Sequence, residues 1–261
     1  MKESIPTFDT LEVSVEGRIG RLTLAQPDKL NPLGTVPLAE LARAATWFDR
    51  TEASVVIVTG QGRGFSSGFD LREFADGSAT TRHENRAQAD LGRQMAEAME
   101  RMRALTIAAV KGPCVGGGVV LAGVCDLRIA ADDTVFSIPE VDLGIPLAWG
   151  GIPRLVREIP PAVVRELVLT CRPFDADEAR SLGFVNRVVP RAELESSVDE
   201  LAASLARKAP SVIRATKRQV NTALENVAST AGAWADADQL GAALGDPEAR
   251  AAARDYLAQR R

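Results

Sequence analysis

Two glycine-rich stretches decide the fold: Gly-Phe-Ser-Ser-Gly-Phe-Asp-Leu at residues 64–71 and Gly-Pro-Cys-Val-Gly-Gly-Gly at residues 112–118. Each follows a short apolar run with the character of a β-strand. Glycine lets the main chain approach a ligand without a Cβ in the way, and a turn that leads into a helix leaves unpaired N–H groups. Two such turns can therefore direct two backbone N–H groups at one oxygen, as in an oxyanion hole.

The composition is that of an ordinary globular protein. The chain has 261 residues, of which 46% are hydrophobic and 25% are charged. This is enough to form a full core in one large domain, or in a domain with an appendage. The formal net charge of -4 gives no overall attraction to nucleic acid, so we expect no nucleic-acid partner.

Cysteine usage and hydropathy indicate the compartment. Cys114, Cys125 and Cys171 are odd in number and form no CxxC pair, which argues against a disulfide or zinc framework. The amino-terminal residues contain no apolar signal core, and no run of about 18 uncharged apolar residues occurs. We therefore expect a cytoplasmic protein that does not associate with membranes.

Strands and helices alternate along most of the chain. The predicted elements are, in order, a β-hairpin over residues 11–24, a helix over 38–48, a buried strand over 55–60, a polar helix over about 81–103, a strand over 106–110, a helix over 119–124 and a strand over 126–130. Alternation of this kind indicates an α/β core with largely parallel strands. From about residue 191 the strand signal stops, and stretches 194–208, 212–227 and 247–261 predict a helical carboxy-terminal quarter.

Two familiar motifs are only partly present. Residues 64–68 match the Gly-x-Ser-x-Gly nucleophile elbow, but the only histidine, His83, lies close by in a polar helical stretch and not near the end of the fold. The triple glycine completes neither Gly-x-Gly-x-x-Gly, because Leu121 stands in the last position, nor a P-loop. A serine hydrolase and a nucleotide-binding protein are therefore disfavoured.

Several segments together resemble the crotonase, or enoyl-CoA hydratase/isomerase, superfamily, and they cover almost the whole chain. They are residues 26–31, similar to its early CoA-binding segment; 66–71, similar to its first oxyanion turn; 112–118 with 125–126, similar to the second turn and its helix; 136–146, similar to its catalytic-glutamate segment; and 179–189, which in the family leads into the helical part.

The resemblance implies an α/β fold, a crotonase/ClpP-like spiral of ββα units with a helical carboxy-terminal region. Residues 1–190 would form the spiral core, and residues 191–261 would serve oligomerisation and cover the active site. It also implies an acyl-CoA thioester as the partner, a place in fatty acid metabolism, and a homotrimer or a hexamer built as a dimer of trimers. No cofactor is expected, because coenzyme A is part of the substrate.

Carried over position by position, the resemblance assigns roles to individual residues. The backbone N–H groups of Phe69 and Gly117 would bind the thioester oxygen, and Glu140 would be the catalytic acid. Arg72 would approach the CoA pyrophosphate or pantetheine, or it would be a solvated surface arginine. The positions implied in substrate binding are Lys29, Leu30, Ser67, Gly68, Asp70, Leu71, Arg72, Gly116 and Trp149.

One departure from the family concerns the acids. Family hydratases generally carry a first glutamate three residues after the middle glycine, where this chain has Val120, and a second at the position of Glu140. Valine cannot hold a water or exchange a proton, whereas one carboxylate can move a proton within an enolate. We therefore favour a Δ3,Δ2-enoyl-CoA isomerase. Hydration with Glu140 alone and a non-catalytic acyl-CoA binding protein are the alternatives.

A second departure lies just downstream, where the family usually has Pro-Gly-x-Gly-Gly-Thr. Residues 146–152 here read Pro-Leu-Ala-Trp-Gly-Gly-Ile. Trp149 either narrows the acyl pocket or packs under the following helix. Asp142 is a further candidate acid, on condition that the segment around it is extended so that it shares a face with Glu140.

Overall fold

Parallel strand pairing organises the centre of the molecule, a computed structural model that describes residues 4–70, 73 and 81–258. The strands are β1 (Leu11–Glu16), β2 (Ile19–Leu24), β3 (Val55–Gly60), β4 (Leu105–Val110), β5 (Pro113–Val115), β6 (Leu127–Ala131), β7 (Val135–Ser137), β8 (Phe174–Asp175) and β9 (Arg187–Val189). Within the described residues they form one sheet in the order β1-β2-β3-β4-β6-β9 and a smaller sheet in the order β5-β7-β8.

The pairing within the larger sheet agrees with the sequence prediction. Strands β1 and β2 form the expected antiparallel hairpin, and every further neighbour pair in that sheet is parallel. Strand β3 shows why, because its residues are buried on both faces, as in a parallel sheet that is covered on each side. Val56 and Val58 belong to the main core, and Val55 and Ile57 pack in a second cluster with the helix that begins at Leu194.

The helices cover both faces of this sheet and continue beyond it. They are α1 (Thr35–Phe48), α2 (Arg82–Arg101), α3 (Gly117–Gly123), α4 (Gly151–Glu158), α5 (Pro161–Thr170), α6 (Ala176–Ser181), α7 (Leu194–Ala206), α8 (Pro210–Val227), α9 (Asp236–Gly245) and α10 (Pro247–Ala258). After β9 all described elements are helical, as expected for the carboxy-terminal quarter. Within the described residues, no helix combines the length and the apolar character needed to cross a membrane.

Several polar contacts attach the carboxy-terminal helices to the rest of the chain, and two of them bear on the position of the candidate site. Lys217 of α8 is buried, and its Nζ lies 2.7 Å from Asp126 Oδ2 and 3.0 Å from the carbonyl oxygen of Ala104. Arg86 of α2 forms an ion pair with Asp238 of α9, with 3.0 Å between Nε and Oδ1. Helix α9 is therefore held across the same side of the molecule as α2, which places it over the candidate site.

Candidate active site

The two glycine-rich turns lie side by side. The N–H of Phe65 donates to the carbonyl oxygen of Pro113 at 3.0 Å, and the N–H of Val115 donates to that of Ser66 at 3.0 Å. Ser66 also pairs with Cys114 in an isolated parallel bridge. Backbone hydrogen bonds thus join two stretches that are distant in sequence, as the glycine pattern predicted.

Glycine is required where these turns meet. Gly68 has a φ of +81°, and a Cβ built on it would lie 2.5 Å from the carbonyl oxygen of Val115 and 3.4 Å from the nitrogen of Gly117. Gly117 is the first residue of α3, so its N–H has no acceptor within the helix. The backbone of the first turn therefore lies close to the start of α3.

A cavity of about 620 Å³ opens beside the paired turns, between α2, α3 and α9. Its wall includes Phe69 and Gly117, the two predicted oxyanion donors, together with Val120, Glu140 and Trp149. The apolar part of the wall toward α9 comes from Ile145, Leu147, Leu240 and Leu244. The residues that sequence reasoning assigned to catalysis are thus brought together at one concave site.

Glu140 has the environment of a proton-transfer group. Its side chain is buried, and its Oε2 has no hydrogen-bond partner among the described residues. Burial penalises the charged form and raises the pKa of Glu140 from 4.5 to about 7. A buried carboxylate with an unsatisfied oxygen costs free energy, and it is the kind of group that a site keeps for chemistry.

Val120 lines the same cavity as this acid. It lies on α3 and is 3% exposed. A Cβ on Gly151 would lie 2.9 Å from Val120 Cγ2, so the start of α4 packs closely against the valine side chain. The cavity wall is apolar at this position, where family hydratases generally carry their first glutamate.

Trp149 lines the cavity and packs between α2 and α3, and not under the following helix α4 as one alternative had it. Its side chain is buried and its ring centroid lies 6.2 Å from that of Phe69, edge to face. A Cβ on Gly92 of α2, or on Gly117, would come within 3.0 Å of the indole. Sequence reasoning missed Gly92, because a single glycine inside a polar helix gives no signal of the ring that it accommodates.

The remaining predicted binding residues lie around the first turn. The N–H of Ser67 donates to the carbonyl oxygen of Leu30 at 2.7 Å, and the Ser67 hydroxyl lies 3.5 Å from the carbonyl oxygen of Lys29. Asp70 follows the turn and is half-buried. Ser67 belongs to the turn, Lys29 and Leu30 lie beside it, and none of the three lines the cavity. Leu71 and Arg72 lie outside the described residues.

Asn31 holds the first turn in place. From the sequence it was predicted only as part of the segment 26–31, with no role of its own. It is buried with a φ of +53°, and its Nδ2 donates to the carbonyl oxygens of Gln61, Gly64 and Phe65 at 3.0–3.2 Å. These bonds fix the CoA-binding-like segment against the first turn.

Three further residues considered from the sequence do not line the cavity. Asp142 is exposed, and residues 139–144 form tight turns in which the N–H of Leu143 donates to the carbonyl oxygen of Pro139. The condition of an extended segment therefore fails. Ser66 of the apparent nucleophile elbow is buried, and its hydroxyl donates to the carbonyl oxygen of Asn31 at 2.8 Å. His83 is exposed on α2.

Comparisons with known proteins identify the family of the chain. A family model described as enoyl-CoA hydratase/isomerase matches residues 14–261. The chain is 37% identical over 221 residues to the probable enoyl-CoA hydratase echA8 of Mycobacterium tuberculosis, covering 84% of each chain. It is 33% identical over 226 residues to a peroxisomal Delta(3,5)-Delta(2,4)-dienoyl-CoA isomerase of Arabidopsis thaliana, covering 82% of this chain and 81% of that one.

The fold is similar to solved structures as well. A crystal structure of an enoyl-CoA hydratase/isomerase from Mycobacterium paratuberculosis superposes with a TM-score of 0.86 at 25% identity. The match covers 97% of this chain and 100% of that one. The similarity therefore includes the helical carboxy-terminal region as well as the sheet.

Proposed function

The chain belongs to the enoyl-CoA hydratase/isomerase family, and from that premise we propose that it is a Δ3,Δ2-enoyl-CoA isomerase. The family acts on acyl-CoA thioesters, and the proposed step moves a double bond from the 3,4 to the 2,3 position. One observation carries this choice: among the described residues that line the cavity, Glu140 is the one buried carboxylate with an unpartnered oxygen, and Val120 stands at the position that the resemblance assigns to the other acid.

The proposed reaction needs one base and one oxyanion hole. The thioester oxygen accepts hydrogen bonds from the N–H groups of Phe69 and Gly117, and the Glu140 carboxylate removes a proton from the α carbon. The electron pair of that C–H bond becomes the enolate. The same carboxyl group then returns the proton at carbon 4, and the double bond forms between carbons 2 and 3. One oxyanion donor contributes about 2.7–4 kcal/mol of transition-state stabilisation.

The electrostatics of Glu140 suit this role. A general base is most effective when its pKa is near the working pH, because it must be ionised and still hold a proton in the intermediate. Burial raises the pKa of Glu140 to about 7. We also propose that the step uses no cofactor beyond the coenzyme A of the substrate.

The assembly and the compartment are proposals of the same kind. We propose a homotrimer or a dimer of trimers in the cytoplasm. The free thiols of Cys114, Cys125 and Cys171 are compatible with a reducing compartment. Light scattering of the purified protein distinguishes a trimer from a hexamer.

Hydration is the second candidate, and the names of relatives favour it, since the similar Mycobacterium protein is named a probable enoyl-CoA hydratase. In this case Glu140 alone would hold the attacking water. The variant Val120→Glu tests the difference: if the missing acid limits hydration, this variant gains hydration of a 2-enoyl thioester that the wild type lacks.

Product mass distinguishes the candidates directly. We expect trans-3-hexenoyl-CoA to be converted to the 2-enoyl isomer, with a changed retention time and an unchanged mass. A hydratase adds one water to a 2-enoyl thioester, and a binding protein gives no product from either substrate. The isomerase proposal is wrong if only the hydrated product forms, or if Glu140→Gln converts trans-3-hexenoyl-CoA as fast as the wild type does.

A further inference from the structure

An indole ring closes one side of the acyl cavity. Trp149 lies between Gly92 of α2 and Gly117 of α3, and its side chain is buried. The six-membered ring, through Cζ3 and Cη2, faces Gly117, and the Nε1 edge faces Gly92. A Cβ at either glycine would lie within 3.0 Å of the ring, a separation that real Cβ atoms essentially never show. The indole thus fills the gap between the two helices.

The backbone that carries this ring is held in an unfavourable conformation. Trp149 has a φ of +63°, which is rare and strained for a bulky residue. Such a conformation persists only when the surroundings fix it. The ring position is therefore determined by neighbouring contacts and not by the local preference of the chain.

A buried polar network supplies those contacts. Arg154 Nη1 donates to the carbonyl oxygens of Trp149 at 3.0 Å and Gly150 at 3.1 Å, and Arg154 Nη2 lies 2.6 Å from Glu100 Oε2. Asp236 Oδ2 accepts from the N–H of Gly150 at 2.7 Å. Three elements, α2, α4 and α9, thus clamp the two residues that set the direction of the indole.

The position of the ring restricts what can follow a bound thioester carbonyl. A thioester oxygen that accepts from the N–H of Gly117 would place the first acyl carbons beside the indole, because a Cβ on Gly117 would lie within 3.0 Å of the ring. The indole fills the gap between α2 and α3, so the acyl chain cannot enter there. The open part of the cavity lies toward α9, where Leu240 and Leu244 provide an apolar wall.

We propose that Trp149, seated on Gly92, determines acyl specificity by excluding branches near the thioester and directing a straight acyl chain toward α9. This inference rests on the proposed use of an acyl-CoA thioester bound at the oxyanion turns. The preferred substrates are unbranched acyl groups. One methyl group in the wrong place changes selectivity about 10–200-fold in a hydrophobic pocket.

Two saturated thioesters of equal carbon number test the proposal without any turnover. Pentanoyl-CoA and 3-methylbutanoyl-CoA are titrated calorimetrically into the wild type and Trp149→Ala, with free coenzyme A as the reference. We expect the wild type to prefer the straight chain by about tenfold or more, and Trp149→Ala to reduce that preference to about threefold or less. Affinity for free coenzyme A should not change.

A second variant and a control keep this result interpretable. Trp149→Phe retains a ring and should fold where alanine does not, with an intermediate preference. The control is Trp234→Ala, which truncates a tryptophan that is 59% exposed and does not line the cavity, and it should leave the straight-to-branched ratio as in the wild type. The same ratio in the wild type and both Trp149 variants, or no preference in the wild type, overturns the proposal.

The glycine partner provides an independent readout. Gly92→Ala should displace the indole and change the ratio, and the double variant Gly92→Ala/Trp149→Ala should resemble Trp149→Ala alone, because no ring remains to collide with. Additive effects contradict the assignment. Since saturated thioesters are used, failure of the isomerase proposal leaves this result unaffected, and the reverse also holds.

Discussion

The carboxylate of Glu140 lies where a side chain on Gly116 would stand. A Cβ on Gly116 would come within 3.0 Å of Glu140 Oε1, and Gly116 has a φ of +51°. The N–H of Gly116 donates to the carbonyl oxygen of Ser137 at 2.8 Å, which ties the second glycine turn to the strand that precedes the acid. The turn that carries Gly117, the proposed oxyanion donor, therefore also lies directly against the acid.

Substitution of Gly116 should consequently disable the acid. We expect Gly116→Ala to lower kcat/KM about 100-fold, because the new methyl group displaces the carboxylate from its working position. The control is Gly245→Ala, where a Cβ would meet nothing within 4 Å. Steady-state kinetics of both variants check this. Equal activity of the two variants would show that the contact is unimportant.

The pH dependence of activity should follow Glu140. Burial raises its pKa to about 7, and the carboxylate form is needed to accept the α proton. We expect kcat/KM for the double-bond shift to rise with pH and to reach half of its plateau near pH 7. The residual rate of Glu140→Gln should lack this inflection. A profile that is flat from about pH 5.5 to 8.5 contradicts the assignment.

Ionisation of Glu140 should also lower the stability of the folded protein as the pH rises, whereas it raises the activity. Because burial raises the pKa of Glu140 from 4.5 to about 7, the folded state holds the proton more tightly than the unfolded chain. Ionisation of this group therefore costs no stability below pH 4.5, a growing amount as the pH rises to 7, and a constant amount above it. The full cost is on the order of 3 kcal/mol.

Glutamine at position 140 removes that ionisation. As the pH rises from about 5 to about 8, the wild type should therefore lose stability relative to Glu140→Gln, so the difference in free energy of unfolding between the two should increase in favour of the variant. Urea unfolding of both proteins at these pH values measures the difference. Parallel curves would mean that Glu140 ionises at its ordinary pKa in the folded protein.

The buried contact between Lys217 and Asp126 should matter far more than an exposed pair. We expect Lys217→Met to lower the free energy of unfolding by about 3 kcal/mol or more, because it leaves Asp126 without its cation in a largely buried place. The control is Arg21→Ala, which removes the ion pair with Asp199, whose side chains are 42% and 41% exposed. Its loss should be about 0.5 kcal/mol. Equal losses in urea unfolding would contradict this reading of α8.

Local pattern predicted most of the sheet and little of its periphery. Strand β3 was predicted at its observed bounds, because an uninterrupted apolar run ending at glycine is a strong local signal. Strands β5 and β7 have three residues each, too few to show a periodicity. They exist because Cys114 pairs with Phe136 across the chain, and such a pairing cannot be seen in either segment alone.

The candidate site divides in the same way. The resemblance to the family implied the roles of Phe69, Gly117 and Glu140, and the structure places all three in the wall of one cavity. The packing of Trp149 against Gly92 could not be predicted from the sequence, since it depends on α2 passing beside α3. The positive φ of Trp149 is equally hidden, because only glycine normally announces that conformation.

The central claim is that Glu140 alone takes and returns the proton. Its most direct test is proton NMR of trans-3-hexenoyl-CoA in deuterated water with the wild type and with Glu140→Gln. We expect the wild type to produce the 2-enoyl thioester and to exchange protons at the α carbon, and the variant to lose both together. Exchange and conversion that persist in Glu140→Gln would contradict the account and require a different base.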